Sequence, residues 1–361
     1  MKKIISAAAA VLMAASLVLG GCGTSQGGGA GESGSPKTSA SETESTKEET
    51  DASLASSSEG ESCQAAIRVG ALKGPTSMGL VELMDRAQKG ETSNTYEFTM
   101  AGAADELVGK IANGDLDIAL VPANVASVLY SKTQQNVAVV DINTLGVLYA
   151  VTSDRSVASV ANLKGKTVYM TGKGTTPEFV VSYLLAENGL NQADVDLQFK
   201  SEATEVASIL AQDPEAVGIL PQPFATAACI QNGALKQAVD LTEEWNRLNE
   251  DSGSMLVTGV TLVRRDFLRE NGPAVDLFVE DHRQSTDFAN QNVEEAAALV
   301  AEAGIVEKAP IAQKALPQCN IVCITGQEMK DALSGYLNVL YEQDAKSVGG
   351  QLPGEDFYYI P

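Results

Sequence analysis

Short apolar strands, each followed by a turn and a helix, recur along the first folded part of this 361-residue chain. Strands are predicted at 67–71, 95–100 and 117–121, and each leads into a turn and a helix. In the first helix, Thr76 or Ser77 is placed as the N-cap. This repeated order implies parallel strands joined by crossover helices. The sequence therefore predicts an α/β fold.

The same order of elements returns after residue 160, with a turn and a strand predicted over 162–170 and strands at 195–199, 216–220 and 235–241. Between the two sets, the apolar run 137–151 is long enough to leave one sheet and enter another, and 256–264 could be the return crossing. Further on, the sequence predicts helix in two pieces over 273–303, a turn-rich stretch over 310–326 and helix over 327–341. The boundaries we predict are 63–150 for the first part of lobe one, 151–255 for lobe two, and 256–361 for the hinge return and the rest of lobe one.

The N-terminus has the order of a bacterial lipoprotein signal. Lys2 and Lys3 precede an apolar run over 4–19, and Leu-Gly-Gly then leads directly to Cys22. This order predicts a signal peptide over 1–21 and a lipid on Cys22. Residues 23–62 are rich in Gly, Ser, Thr and Glu and cannot bury enough apolar surface to fold, so we expect a disordered tether. The folded part would then hang from the extracytoplasmic face of a membrane, in a Gram-positive-type envelope.

Composition excludes several classes of function. The formal net charge of −22 argues against nucleic acid as a partner, because phosphate binding needs a basic surface. His282 is the only histidine, which excludes multi-histidine metal sites and catalytic sites that need two histidines. Four further cysteines show no C-x-x-C spacing, and we expect free thiols at Cys63, Cys229, Cys319 and Cys323. The sequence predicts a monomer with no catalytic residue, cofactor or metal.

The strand-to-helix loops supply the candidate ligand-binding residues. Such loops gather at one edge of a parallel sheet, where helix N-termini offer free backbone N–H groups. Lys73 and Lys173 are the only basic residues in these loops, so bidentate recognition of an anion by Arg is not predicted. The hydroxyl and amide side chains could bind a polar solute or only cap helices, and Trp245 could stack on a planar solute or fill the core or the lobe interface. The candidates are Lys73, Gly74, Pro75, Thr76, Ser77, Gly102, Ala103, Asn124, Gly174, Thr175, Thr176, Gln222 and Trp245.

Four segments together resemble a known family. They are RVGALKGPTSMG after the lipobox and tether, AGAADELVGKIANGDLDIALVPAN, LKGKTVYMTGKGTTPEF and ILPQPFAT. The chain resembles lipoprotein substrate-binding components of ABC importers, nearest to the branch that binds nitrate, alkanesulfonates, taurine and thiamine-pyrimidine precursors. The resemblance extends over about residues 65–265. It implies a two-lobed periplasmic-binding-protein-like fold of the cluster-two type, with a parallel-rich sheet in each lobe and two crossing strands as the hinge. It also implies a small organic solute, and permease and ATPase subunits as partners.

Two other functions are compatible with this resemblance. A sensory lipoprotein would hand its ligand to a receptor, and genes for a permease and an ATPase alongside would distinguish import from sensing. Eukaryotic relatives of this fold group are enzymes that make a thiamine pyrimidine, consuming an active-site histidine and using a cysteine-rich motif. Here His282 lies on a late helix, and the Cys319-x-x-x-Cys323 spacing does not match such a motif. We therefore expect a binding protein and not an enzyme.

Overall fold

A computed structural model describes residues 66–250 and 254–361. The predicted signal peptide, the tether, Cys22 and Cys63 lie outside these ranges. Within them, the strands are β1 Ala66–Leu72, β2 Thr95–Ala101, β3 Ile118–Pro122, β4 Val137–Leu145, β5 Leu148–Thr152, β6 Thr167–Met170, β7 Asp196–Phe199, β8 Val217–Pro221, β9 Lys236–Asp240, β10 Val257–Arg264 and β11 Ile321–Ile324.

The α-helices of the described ranges follow or connect these strands. None of them is both long and apolar enough to span a membrane. They are α1 Pro75–Met78, α2 Val81–Lys89, α3 Ala104–Asn113, α4 Ala123–Lys132, α5 Thr176–Glu187, α6 Ala203–Gln212, α7 Phe224–Gln231, α8 Leu241–Leu248, α9 Arg265–Gln291, α10 Val293–Glu302, α11 Ala309–Ala315 and α12 Gly326–Gln343.

Two mixed sheets organise these elements into two lobes. The sheet of lobe one has the order β11-β4-β10-β3-β1-β2, in which β1 is parallel to both β2 and β3, and β10 is antiparallel to β3 and β4. The sheet of lobe two has the order β7-β6-β8-β5-β9, in which β6 is parallel to β7 and β8, and β5 is antiparallel to its neighbours. The predicted α/β, two-lobed fold is confirmed, but the sheets are mixed and not parallel-rich, because β5 and β10 run antiparallel to their neighbours.

The first crossing between the lobes lies within the predicted run, whereas the second does not lie within 256–264, because β10 pairs only with strands of lobe one. The apolar run over 137–151 supplies β4 to lobe one and β5 to lobe two, and only Gly146 and Val147 separate the two strands. The return path leads from α8 in lobe two to β10, which lies between β4 and β3 of lobe one. Nearly every side chain of β4 and β5 is buried, because helices cover both faces of these strands.

The first predicted helix is wrong in two respects. It is interrupted at Gly79 and Leu80, so that α1 and α2 are separate, and Gly74 occupies the N-cap position instead of Thr76 or Ser77. Gly79, at this break, is closely packed against two other elements. A Cβ at this position would lie 2.9 Å from Thr286 Oγ1 and 3.0 Å from a methyl group of Ile321. Glycine therefore lets this turn approach α9 and β11 closely.

Two later predictions also need correction. The stretch 310–326 is not merely turn-rich, since it contains most of α11 and all of β11, which pairs with β4. A four-residue strand carries too little periodicity to be recognised without its partner. The helix predicted from Pro273 already begins at Arg265 and is kinked at Asn271, where φ is −130° and ψ is 33°. Pro273 follows the kink because it lacks the N–H that an unbroken helix needs.

Candidate functional site

The strand-to-helix loops of lobe one lie together at one edge of its sheet. Leu72 and Ala101 are register partners at the ends of β1 and β2, and the Lys73 amide donates to the Ala101 carbonyl oxygen at 2.9 Å. The loop after β3 lies beside these two loops. Pro122, at the end of β3, is paired with Gly259 on β10. Gly259 in turn lies close to Thr76, which follows β1, since a Cβ on Gly259 would be 2.4 Å from the Thr76 methyl group. The edge thus brings the candidate residues after β1, β2 and β3 side by side.

The corresponding loops of lobe two gather beside the crossing between the lobes. Leu148 at the start of β5 is paired with Pro221 at the end of β8, and the Gln222 amide donates to the Val147 carbonyl oxygen at 2.9 Å. The loop after β6 lies at the same edge because β6 is parallel to β8. In that loop, Thr175 Oγ1 donates to the Gly172 carbonyl oxygen at 2.7 Å. This hydroxyl is therefore used to shape its own turn.

Two candidate residues meet across the lobes. Thr176 Oγ1, at the start of α5 in lobe two, donates to Asn124 Oδ1 on α4 of lobe one at 2.9 Å. Asn124 Nδ2 in turn donates to the Ser347 carbonyl oxygen at 3.4 Å. The side chains predicted to bind a solute are bound to each other here, and they join the two lobes.

Gln222 makes a second polar contact between the lobes. It is buried, and its Nε2 donates to Gln318 Oε1 at 2.8 Å. Gln318 follows α11 in lobe one, and its carbonyl oxygen also accepts a hydrogen bond from Tyr149 OH at 3.0 Å. The Thr226 amide donates to Gln222 Oε1 at 3.3 Å, which fixes the orientation of the amide group. Gln222 is therefore held between α7 and lobe one.

Trp245 lies in an aromatic cluster between the lobes. Its side chain is completely buried, with ring centroids 4.6 Å from Tyr183 on α5 and 5.5 Å from Tyr336 on α12 of lobe one. Within the described part of the chain, the Trp245 Nε1–H group and the Tyr336 hydroxyl have no hydrogen-bond acceptor at bonding geometry. Burial raises the pKa of Tyr336. The sequence allowed Trp245 to stack on a solute, fill the core or lie at the lobe interface. Its contacts with Tyr183 of lobe two and Tyr336 of lobe one are those of a residue at the lobe interface.

The remaining candidates divide into internal and exposed groups. Thr76 and Ser77 are buried, and their hydroxyls donate to the carbonyl oxygens of Leu72 and Gly74 at 3.2 and 3.0 Å. Lys73 Nζ extends toward Gly304 of lobe one, lying 4.0 Å from where a Cβ at that glycine would be. Gly74 and Pro75 are half-buried. The exposed candidates are Lys73, Gly102, Ala103, Gly174 and Thr175.

A groove between the lobes contains residues that the sequence analysis missed. Its volume is about 570 Å³. Helices α6 and α7 form its lobe-two wall, and the chain from the end of α10 into α11 forms its lobe-one wall. Phe224, the first residue of α7, is 37% exposed and lies in this groove. A residue that lines a groove and a residue in the core have the same hydrophobic periodicity, so the sequence pattern could not identify the groove residues. The lining residues are Thr204, Ala207, Ser208, Ala211, Pro223, Phe224, Ala227, Ala228, Gln231, Ile305, Val306, Glu307 and Ile311.

The single histidine belongs to a buried polar cluster in lobe one. His282 Nδ1 lies 3.1 Å from Asp141 Oδ2, and Thr261 Oγ1 donates to Asp141 Oδ1 at 2.7 Å. Cys323 completes a set whose potential metal-ligand atoms lie within 4.8 Å of one another. Burial, and then the Asp141 carboxylate, raise the pKa of the Cys323 thiol, so it is protonated at neutral pH. Because both Asp141 oxygens already have partners, the arrangement is that of a structural polar network.

Thiol chemistry is consistent with the prediction of unpaired cysteines. Cys229, Cys319 and Cys323 are all free in the described ranges. Burial raises the pKa of the Cys319 thiol to about 12 and also raises that of Cys229. These thiols are poor nucleophiles at neutral pH, because the thiolate is the reactive form.

Comparison with known proteins gives one family and many similar folds. The family model for menaquinone biosynthesis matches residues 73–340. No curated protein matches the chain by sequence. Among solved structures, an ABC transporter protein from Parabacteroides distasonis has a TM-score of 0.69 and 22% identity, covering 81% of this chain and 98% of its own.

Two further structures are described as solute-binding proteins. The periplasmic aliphatic sulphonate-binding protein SsuA from Escherichia coli has a TM-score of 0.64 and 17% identity, covering 82% of this chain and 96% of its own. The ligand-binding component of an ABC-type import system from Staphylococcus aureus has a TM-score of 0.60 and 14% identity, covering 82% and 97%. At these identities the similarity shows a shared fold, that of the binding proteins of ABC transport systems.

Proposed function

We propose, for a chain that belongs to the menaquinone biosynthesis family, that its two lobes capture a small organic solute and deliver it to an ABC importer. One observation carries this proposal. The loop edges of both sheets meet across the hinge, where Thr176 and Gln222 of lobe two bind Asn124 and Gln318 of lobe one. A solute that contacts both lobes would stabilise the closed arrangement by its greater affinity for that state.

The polar contacts between the lobes are suited to reversible closure. Each is a neutral hydrogen bond, which contributes only about 0.5–1.5 kcal/mol net. A solute with comparable contacts can therefore compete with them or add to them. In this mechanism Asn124, Thr176 and Gln222 exchange their partners between the other lobe and the solute, while the hinge at Gly146 and Val147 changes angle.

An enzyme is the second candidate, because the family description names a biosynthetic pathway. The two functions differ in what happens to the bound molecule. A binding protein releases its solute unchanged, whereas an enzyme of this fold would convert it. The buried Asp141–His282 pair has no exposed atom for contact with a substrate in this arrangement, which favours capture.

Native mass spectrometry of the purified Cys22→Ser protein should reveal one co-purifying small molecule, and adding that molecule should raise the melting temperature. Ligand that binds only the folded state stabilises it by RT ln(1 + [L]/Kd), about 2.7 kcal/mol when its concentration is 100 times Kd. Recovery of the molecule unchanged after release supports capture. Conversion to a product would support the enzyme. A screen of sulfonates, pyrimidines, other heterocycles and carboxylates that yields no shift, with nothing co-purified, would contradict both.

Lipid attachment at Cys22 would place this protein at the extracytoplasmic membrane surface. Replacing Cys22 by serine should release the protein from membranes in full, because serine cannot form the thioether that holds the lipid. Membrane fractionation with immunoblotting measures the result. Cys63→Ser is the matched control, as it lies in the same N-terminal region and should leave the protein bound. Unchanged membrane retention of a Cys22→Ser variant from which residues 1–21 have been removed would exclude the anchor.

A further inference from the structure

The interlobe groove has the size and composition of a small-molecule site. At about 570 Å³ it lies within the range of 300–1,000 Å³ that is typical of such sites. Phe224 and Ala227 of α7 face it from lobe two, and Ile305, Val306 and Ile311 face it from lobe one. Because its walls come from different lobes, the groove changes shape whenever the lobes move. Occupation of the groove is thereby coupled to closure.

Its charge makes the groove unsuitable for an anion. Among the described lining residues, Glu307 is the only charged one, and it is exposed at the edge. Neither Lys73 nor Lys173 is among the lining residues, and the chain as a whole carries a net charge of −22. An anion would enter without a counter-charge and against this field, and burying an unpaired charge is costly. The hydroxyls of Thr204 and Ser208 already donate to Glu202 Oε2 and to the Thr204 carbonyl oxygen, so their oxygens remain as acceptors. Together with the Gln231 amide, they suit hydrogen bonds to a neutral molecule.

We propose that this groove binds an uncharged, predominantly apolar small solute, packed against the Phe224 ring and covered by the segment between α10 and α11. This inference rests on the proposed function and specifies the solute class for it. Phe224 supports it by its position, since a large aromatic side chain that is 37% exposed lies next to the buried Gln222, which binds the other lobe. A solute against Phe224 therefore contacts α7 near that interlobe bond.

The test uses two dyes that differ by one charge. N-phenyl-1-naphthylamine is neutral, and 8-anilinonaphthalene-1-sulfonate carries a sulfonate on the same ring system. The neutral dye should bind more tightly to the Cys22→Ser protein, with a fluorescence increase. Phe224→Ala should weaken its binding by at least about ten-fold, because the main apolar contact surface is lost. Ala211→Trp, which fills the groove from an exposed position on α6, should abolish binding.

Ile230→Ala is the matched control, because Ile230 is 43% exposed on the same helix but does not line this groove. It should bind the neutral dye like the parent protein. Equal binding by the Phe224→Ala or Ala211→Trp variant, or tighter binding of the sulfonated dye by the parent, would overturn the inference. If the co-purifying solute binds all variants equally, capture stands and the groove assignment fails. If no solute is found at all, capture itself fails, whatever the dyes do.

Discussion

Replacing His282 by alanine is expected to lower the free energy of unfolding by about 3–5 kcal/mol, the usual cost of truncating a large buried ring to a methyl group. His282 and Asp141 are both completely buried, and the imidazole is one of two side-chain partners of the Asp141 carboxyl group. Removing the imidazole leaves a cavity in the core and leaves Asp141 Oδ2 without its partner, and a buried polar atom without a partner is destabilising. Denaturant unfolding followed by circular dichroism measures the change.

Two variants serve as controls for the His282 experiment. His282→Gln keeps an N–H donor of similar reach and should recover part of the loss. Lys89→Ala removes an exposed ion pair with Asp85 on α2 and should change stability far less, because exposed pairs contribute little. A loss of less than about 1 kcal/mol in His282→Ala would contradict the structural role.

The fold was predictable where apolar runs and breakers coincide. The run over 137–151 is long enough to enter both sheets, as predicted, although the structure divides it into β4 and β5 at Gly146 and Val147. The loops after β1 and β6 were predictable for a similar reason, since Gly74, Pro75, Gly174 and the residues near them interrupt otherwise regular patterns. These signals are local, and they are sufficient to place strands and loops along the chain but not to give the order of the strands within each sheet.

The missed features depend on contacts between distant segments. Strand β11 pairs with the edge of β4, and the turn at Gly79 packs closely against α9 and β11. The partner of Gln222 is Gln318, which is 96 residues further along the chain. The groove likewise combines α7 with the chain after α10, far apart in sequence. A single sequence does not show which distant segments pair. The candidate residues could therefore be chosen only loop by loop, and the groove could not be predicted.

Gly146 connects this packing to the proposed closure of the lobes. It lies between β4 and β5, is buried, and its carbonyl oxygen accepts a hydrogen bond from Asn320 Nδ2 at 2.6 Å. A Cβ at this position would be 2.2 Å from Thr242 Oγ1 and 2.6 Å from a methyl group of Leu256. Thr242 belongs to α8 of lobe two, and Leu256 lies on the return path to lobe one. An added methyl group would therefore push apart the two connections between the lobes.

Gly146→Ala is accordingly expected to lower the free energy of unfolding by about 1–3 kcal/mol, the usual cost of overpacking. It should also weaken binding of the co-purified solute by about ten-fold or more, which corresponds to about 1.4 kcal/mol less stabilisation of the closed state. Unfolding curves and solute titration measure the two effects. Gly109→Ala on α3 is the matched glycine control, because a Cβ there meets no atom within 4 Å and alanine favours helix. Parent-like stability and affinity in Gly146→Ala would show that the crossing tolerates the methyl group and that closure does not depend on its close packing.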